Sequence, residues 1–291
     1  MNHAERTGVA AVAVSVAVGV ATSWAGSQGG TTLAALPVFA WCGLLSFGIN
    51  WLVFVPAYLF QTERYFDLTG SLTYLSVVGV ALASGAPDPR ALILGTMVAV
   101  WAVRLGGFLF ARIRRDGGDG RFDILKPSLP RFLMTWTLQA LWVLLTVSSA
   151  LAAMTTASPE PLGAFAGMGV AIWILGFSVE IVSDRQKGRF RAGPGNSDHF
   201  IQSGLWSWSR HPNYFGEITL WCGVAIVAFP VLSGWQYLTL TSPIFVYILL
   251  TRVSGIPLLE ARGRKKWGHR PEYRAYMART PQLFPRPPQS A

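Results

Sequence analysis

The fold class this sequence predicts is an all-α integral membrane bundle of seven to eight transmembrane helices, and three observations predict it. Hydrophobic residues make up 52% of the 291 positions and charged residues only 13%, against about 25% charged in a typical soluble domain. Apolar runs close to the ~20 residues needed to cross roughly 30 Å of hydrocarbon recur along the whole chain. The 24 Lys and Arg residues gather between alternate runs, as they do when short basic loops stay on one side of a bilayer.

Taken in order, the runs cover residues 9–27, 35–60, 70–84, 91–113, 132–154, 162–183, 214–232 and 235–256. The first is rich in Ala and Val, follows the lone Arg6 and ends near small residues, so it reads as an extra N-terminal span or a signal anchor. Residues 1–34 are therefore set apart from a single membrane domain over 35–291. The third run is short and interrupted, and is expected to be tilted or partly re-entrant. With the amino terminus inside, the inner segments collect Arg6, Arg64 and the basic residues of 112–131, 185–210 and 262–286, leaving only Arg90 outside. That asymmetry fits a multi-pass membrane protein with cytoplasmic basic loops.

The formal net charge of +10 is explained by topology and by attraction to anionic lipid. Nucleic acid is not an expected partner, since the charges lie in loops tied to spans and no nucleic-acid motif accompanies them. Cys42 and Cys222 fall inside runs and the four histidines have no ligand spacing, so neither a disulfide framework nor a metal site is expected. The chain carries no signal of oligomeric state.

No glycine-rich turn follows a strand pattern, which excludes a Rossmann crevice. The run "RRDGGDGRFD" (114–123) has the glycines but lies in a short basic loop. Any dinucleotide must then be held by arginines and loop backbone. Arg104, Phe108 and Arg112 recur at a spacing of four and share one helical face. An arginine within a span normally faces the bundle interior or a wet cavity, which makes Arg104 a site candidate. Glu180 and Asp184 share a face at the inner end of the sixth run, followed by Arg185, Lys187, Arg189 and Arg191 and then by the helix-breaking "GPGN".

The stretch "SRHPNYFGE" (209–217) opens the seventh run. Ser209 is expected to cap a helix whose first turn holds Pro212. Asn213, Tyr214 and Glu217 then stand three to four apart, facing the bundle or an inner cavity. Helix-start chemistry does not account for Arg210, His211 and a glutamate one turn into a span. Gln139, with Trp142 in "LQALW", faces inward by the same logic and is a candidate wall of a substrate cavity. Trp206 and Trp208 are read as interface anchors able to stack on a nucleotide ring.

The runs "SDRQKGRFR", "SGLWSWSRHPNYFGEITLWCGVAI" and the tail from "SGIPLLEARGRKKWG" to "YRAYMARTPQLFP" resemble the steroid 5α-reductase superfamily, and more closely its bacterial branch of proteins with the DUF1295 domain. The resemblance is dense over 174–285 and visible in "QTERYFDLTGSLTY" and "RLGGFLFARI". It implies a helical membrane ene-reductase that takes a hydride from NADPH and delivers it to a carbon–carbon double bond of a lipophilic small molecule. By position, Asp184, Arg191, Ser209, Asn213 and Glu217 match the family's cofactor pattern, and Arg104 matches an arginine of its fourth-span motif. Arg210, His211 and Tyr214 fit the version found in related sterol reductases. The resemblance assigns Asn213 to the nicotinamide amide and Arg104, Arg191 and Arg210 to phosphates, with Arg112 beside them.

Hydride addition to an enone also needs an acid at the carbonyl oxygen. The resemblance implies a carboxylate before the third span, for which Glu63 and Asp67 are both counterparts, and the likeness of "RYFDLTGS" to the bacterial branch favours Asp67; Glu217 is the third carboxylate offered for catalysis. The chain departs from the steroid enzymes in two places. Trp101 stands where they have a tyrosine facing the substrate carbonyl, and an indole donates one N–H without serving as a comparable proton source. Glu180 replaces one of their asparagines. Two other readings remain open. One is an S-adenosylmethionine-dependent methyltransferase of the isoprenylcysteine carboxyl type, in which Glu260 fills a late glutamate position. The other is a non-catalytic lipid-binding protein.

Overall fold

The computed structural model describes residues 2–84 and 88–288, apart from the side chains of Arg115, Asp116 and Ser197. The side chains of two residues of the "RRDGGDGRFD" loop and the last two letters of the "FPRPPQS" tail therefore lie outside the description. Among the described residues, eight segments are long and apolar enough to cross a membrane. The protein is a multi-pass, all-α membrane protein whose only sheet among those residues is the two-strand ribbon β1 (Thr32–Leu33) and β2 (Leu36–Pro37).

The chain packs as two compact units, one comprising residues up to Ala166 with Val224–Ser242, the other Gly167–Gly223 with the chain from Pro243 onward. The first holds α1 (His3–Gly26), α2 (Val38–Leu59), α3 (Phe66–Ala83), α4 (Pro89–Asp116) and α5 (Leu129–Met154). Helix α5 is its centre: Trp136, Ala140, Leu144, Val147 and Leu151 are all buried, and its buried Ser148 donates to the Thr239 carbonyl at 3.1 Å, so that the hydroxyl it carries inward there is met by a partner. α1 and α2 pack on α5, and α3 packs on α4. The close approach of α1 is set by Gly8, where an added Cβ would stand 3.0 Å from the Pro130 carbonyl oxygen. Arg90 is 1% exposed and donates to the carbonyls of Val227 (2.8 Å) and Pro161 (3.0 Å), stapling the start of α4 to the later chain.

α3 corrects the expectation of a re-entrant element. It is an uninterrupted helix of 18 residues, because its hydroxyls are satisfied within it: Thr69 bonds to the Tyr65 carbonyl and Thr73 to the Thr69 carbonyl, each at 2.7 Å. The eighth run is also not one α-helix. It consists of a 3-10 helix Gly234–Thr241, a short α8 (Ser242–Ile248) and a π-helical turn Leu249–Val253.

The second unit contains most of α6 (Ala164–Ala192), the first turns of α7 (Pro212–Ala228), then α9 (Ile256–Trp267) and α10 (Pro271–Arg279). α6 runs on through the basic stretch because nothing breaks it before Gly193 and Pro194. Its contact with α7 is made backbone to backbone. An added Cβ at Gly216 would stand 2.6 Å from the Gly176 carbonyl oxygen, and one at Gly223 2.6 Å from that of Gly169. Small residues allow this closeness, the usual means of packing helices in lipid.

Candidate functional site

In the second unit, α6, the loop 193–211, α9 and α10 enclose a cavity of about 260 Å³ lined by cations and aromatic rings. Lys187 and Arg191, one turn apart on α6, reach it from one side, and Arg210 and His211 reach it from the start of α7. Trp206 lies on the wall; its indole donates to the Ser183 carbonyl at 3.0 Å, and the Lys187 ammonium sits 4.6 Å from its ring centroid. α10 adds Tyr273 and Tyr276, the second donating its hydroxyl to the Trp206 carbonyl at 2.8 Å. Phe200 packs on Tyr273, Tyr276 and Trp267 with centroids 5.0, 5.5 and 5.9 Å away. Burial raises both tyrosine hydroxyls above their ordinary value, so they enter the site as neutral donors.

A buried carboxylate organises the floor. Glu260, on α9, is 8% exposed; its Oε1 lies 3.1 Å from Nη1 of Arg210 and 3.4 Å from Nε2 of His211, and its Oε2 lies 3.7 Å from Arg264. Gln282 donates to Oε1 at 3.4 Å. The His211 contact is not an aligned hydrogen bond, and among the described residues neither Nδ1 of His211 nor Nε of Arg210 has a hydrogen-bond partner. Burial holds the imidazole below its ordinary titration range, with Glu260 pulling the other way, so His211 is neutral at pH 7. Such unfilled buried donors and acceptors beside a cavity are where a ligand would bind.

Ser209 does not cap α7 as expected. Its hydroxyl accepts from the His211 backbone N–H at 3.1 Å and donates to the Leu283 carbonyl at 2.8 Å, tying the tail to the site. The Arg210 N–H adds a bond to the Pro281 carbonyl at 2.9 Å. Tyr214 stacks on His211 with centroids 5.7 Å apart. Asp184 is half-buried on α6, and Asn213 and Glu217 sit on the first turns of α7; none of the three is among the residues lining this cavity.

The other candidates belong to the first unit. Arg104 lies with its guanidinium 5.6 Å from the Phe108 ring, and Arg112 stands 3.4 Å from Asp67, which opens α3. Glu63 is 6% exposed, accepting from Lys126 Nζ at 2.8 Å and from the Asp119 N–H at 2.9 Å. Burial pushes the Glu63 carboxyl up, but these two donors outweigh it and the net shift is downward. Glu63 thus fastens the loop after α4, where Gly117 takes a left-handed φ of 81° and a Cβ on Gly118 would stand 2.9 Å from the carboxylate. Trp101 is buried edge-on against Tyr74 at 5.2 Å. Gln139, proposed as a cavity wall, bonds to Asn50 Oδ1 at 3.0 Å and to the Phe66 carbonyl at 2.9 Å. It knits α5 to α2 and α3.

Sequence reasoning did not find the part of the site that comes from α9 and α10. Glu260 has a role only under the methyltransferase reading, and Trp267, Tyr273, Tyr276 and Met277 stand in the tail that carries the family resemblance without any role of their own. A signal was present: Pro271 at a helix start, with Tyr273, Tyr276 and Met277 at a spacing of three and four.

Comparison with known proteins agrees on a family. A family model described as "Protein of unknown function (DUF1295)" matches residues 53–280. The chain is 31% identical over 102 residues to 3-oxo-5-alpha-steroid 4-dehydrogenase 1 of Bos taurus, covering 35% of this chain and 34% of that protein. The Rattus norvegicus protein of the same name is 30% identical over 102 residues, with the same coverage. An uncharacterized protein, C594.04c, of Schizosaccharomyces pombe is 22% identical over 260 residues, covering 78% of this chain and 72% of that one. The match thus spans about a third of each steroid dehydrogenase. No solved structure matches.

Proposed function

Because the chain belongs to the DUF1295 family, we propose that it is a membrane reductase that uses NADPH to reduce a carbon–carbon double bond in a steroid- or isoprenoid-like lipid, with its basic loops on the cytoplasmic side of a bacterial inner membrane. The observation that carries this reading is the cavity of the second unit, where Lys187, Arg191 and Arg210 meet aromatic rings and a neutral, buried His211. Similarity to 3-oxo-5-alpha-steroid 4-dehydrogenases supports it.

The residues present fit one end of a dinucleotide. At about 260 Å³ the cavity falls below the ~300–1,000 Å³ of whole-ligand pockets, so it suits a phosphate and one ring. Arg210 and Lys187 would take the phosphate charge, Trp206 and Tyr273 would flank the ring, and His211 Nδ1 would bond to a ribose or amide group. Bound NADPH would supply the hydride. The chain's own share is to orient the cofactor, exclude water and provide a proton to the second carbon. Of the carboxylates in the first unit, Asp67 suits the proton better than Glu63, which is locked on Lys126 and the Asp119 N–H.

One observation favours a second reading. Glu260 stands on Arg210 and His211, where an S-adenosylmethionine-dependent methyltransferase would place a late glutamate. Thermal stability of the detergent-purified protein with NADPH, NADH or S-adenosylmethionine separates the two. At about 100 times its dissociation constant the true ligand adds ~2.7 kcal/mol. NADPH should raise the midpoint, and Lys187→Gln with Arg191→Gln should weaken that response at least tenfold. A response to S-adenosylmethionine alone would overturn the reductase reading.

A further inference from the structure

A second cavity of the same unit, about 520 Å³, opens where the last apolar run ends, and Arg252 and Arg286 both line it. Arg252 owes its position to the π-helical turn Leu249–Val253, closed by a bond from the Ser254 N–H to the Leu249 carbonyl at 2.9 Å. The turn buries Leu250 and Thr251 and puts Arg252 and Val253 outside. Such single π turns inside α-helical segments are costly and recur at functional sites.

Arg286 comes from the opposite wall, on an extended segment whose backbone is pinned. The Arg286 N–H donates to the Trp208 carbonyl at 3.0 Å, and the Leu283 carbonyl receives Ser209 Oγ at 2.8 Å. Among the described residues neither guanidinium has an acidic partner. Two guanidinium groups on one cavity repel, and a shared anion with several oxygens resolves the repulsion by charge-assisted bonds. A water-soluble anion would leave the neighbouring surface unexplained. Phe284 and Val253, each 62% exposed, flank the arginines with apolar surface, and the charged helix α9 begins directly after, so the cavity lies at the level where headgroups meet hydrocarbon.

We infer that Arg252 and Arg286 bind the phosphate of an anionic phospholipid, with its chains lying along Phe284 and Val253. The inference does not depend on the reductase reading.

Native mass spectrometry of the full-length protein, titrated with phosphatidylglycerol or phosphatidylcholine, tests it. The wild type should hold one phosphatidylglycerol at least ten times more tightly than phosphatidylcholine. Arg252→Gln with Arg286→Gln should remove that preference, while Arg114→Gln with Arg131→Gln, an equal loss of charge elsewhere, should keep it. If the double variant does not fold, each single substitution should weaken phosphatidylglycerol severalfold. Unchanged binding in the Arg252 and Arg286 variants, or equal loss in the control, would overturn the site. So would displacement of the lipid by an equal concentration of glycerol phosphate, which would mark a soluble-phosphate site instead.

Discussion

Two buried glutamates, one in each unit, show how the same residue type is put to different use. Glu63 is 6% exposed and closed on every side: Lys126, itself shared with Asp123 at 2.9 Å, and the Asp119 N–H fill its oxygens. The same unit holds an aromatic core of Phe54, Phe122, Phe132 and Trp136. Glu260 is about as buried, at 8%, but it faces Arg210, His211 and Arg264 beside a cavity, with His211 Nδ1 and Arg210 Nε unfilled. A carboxylate whose partners are saturated fastens a loop. One whose partners retain open positions prepares a site.

The comparison breaks most visibly at Glu260. Replacing it with Ala leaves the partly buried Arg210 without its anion, and removing one member of a fully buried pair costs about 3–5 kcal/mol, an upper bound here. Glu260→Ala should therefore lower the thermal midpoint of the detergent-solubilised protein sharply and abolish NADPH stabilisation. Glu260→Gln, which keeps the shape and can still accept from Arg210, should recover part of the stability and less of the ligand response. Equal recovery of both would make Glu260 a fastener like Glu63.

Gly216→Ala comes next, because the open site stands on the first turns of α7. The new Cβ would meet the Gly176 carbonyl oxygen at 2.6 Å and the Glu180 N–H nitrogen at 2.7 Å. Both are backbone atoms and cannot rotate away. Overpacking of this kind costs about 1–3 kcal/mol, and it should shift Arg210 and His211 enough to weaken NADPH binding. A stable variant with wild-type affinity would uncouple the site from the α6–α7 contact. Glu63→Gln should do less, about 1 kcal/mol, since the amide oxygen still accepts from Asp119 while the ionic part with Lys126 is lost. It should leave NADPH binding untouched, which titration of the variant would check. Burial raises the Glu63 carboxyl, but Lys126 and the Asp119 N–H lower it further, below the ordinary glutamate value of 4.5. Glu63 thus contributes stability above about pH 4.5 that is lost as pH falls through its folded value.

Much of this was legible in the chain. Apolar runs mark six of the eight membrane-length segments to within several residues, because in lipid hydropathy and backbone satisfaction point the same way, whereas the sixth run stops at 183 and α6 continues through the basic stretch to Ala192. The last run misled for the same reason: hydropathy is silent on whether 235–256 is α, 3-10 or π. "SRHPNYFGE" marked Arg210 and His211, since charge inside a span has no structural excuse. It gave no partner for them, because Glu260 sits in a tail where charge is unremarkable. Ser209 was misassigned for a related reason: a hydroxyl before Pro212 has the local signature of a cap, and only the fold brings Leu283 to it. Gln139 reads as a cavity wall from its inward-facing polarity and Glu63 as a catalytic carboxylate from the family resemblance, whereas packing spends them on Asn50 and Lys126.

The smallest expected effect separates the glutamates by pH. Burial lowers the His211 pKa below the ordinary histidine value of 6.5, although Glu260 opposes this. The sign follows: below about pH 6.5 the unfolded chain takes up a proton that the folded chain refuses. Stability associated with His211 is therefore complete above that value and is lost as pH falls toward the folded pKa. Glu63 changes only further down, below about 4.5. Between pH 7 and 5, then, the thermal midpoint should drop modestly in the wild type and in Glu63→Gln alike. His211→Gln, neutral throughout, should flatten that drop. The groups facing His211 are Glu260, Arg210 and Lys187, and the two cations stay charged across this range. A drop that survives His211→Gln would come from another titrating group, and the pH response of the open site would then not be owed to His211.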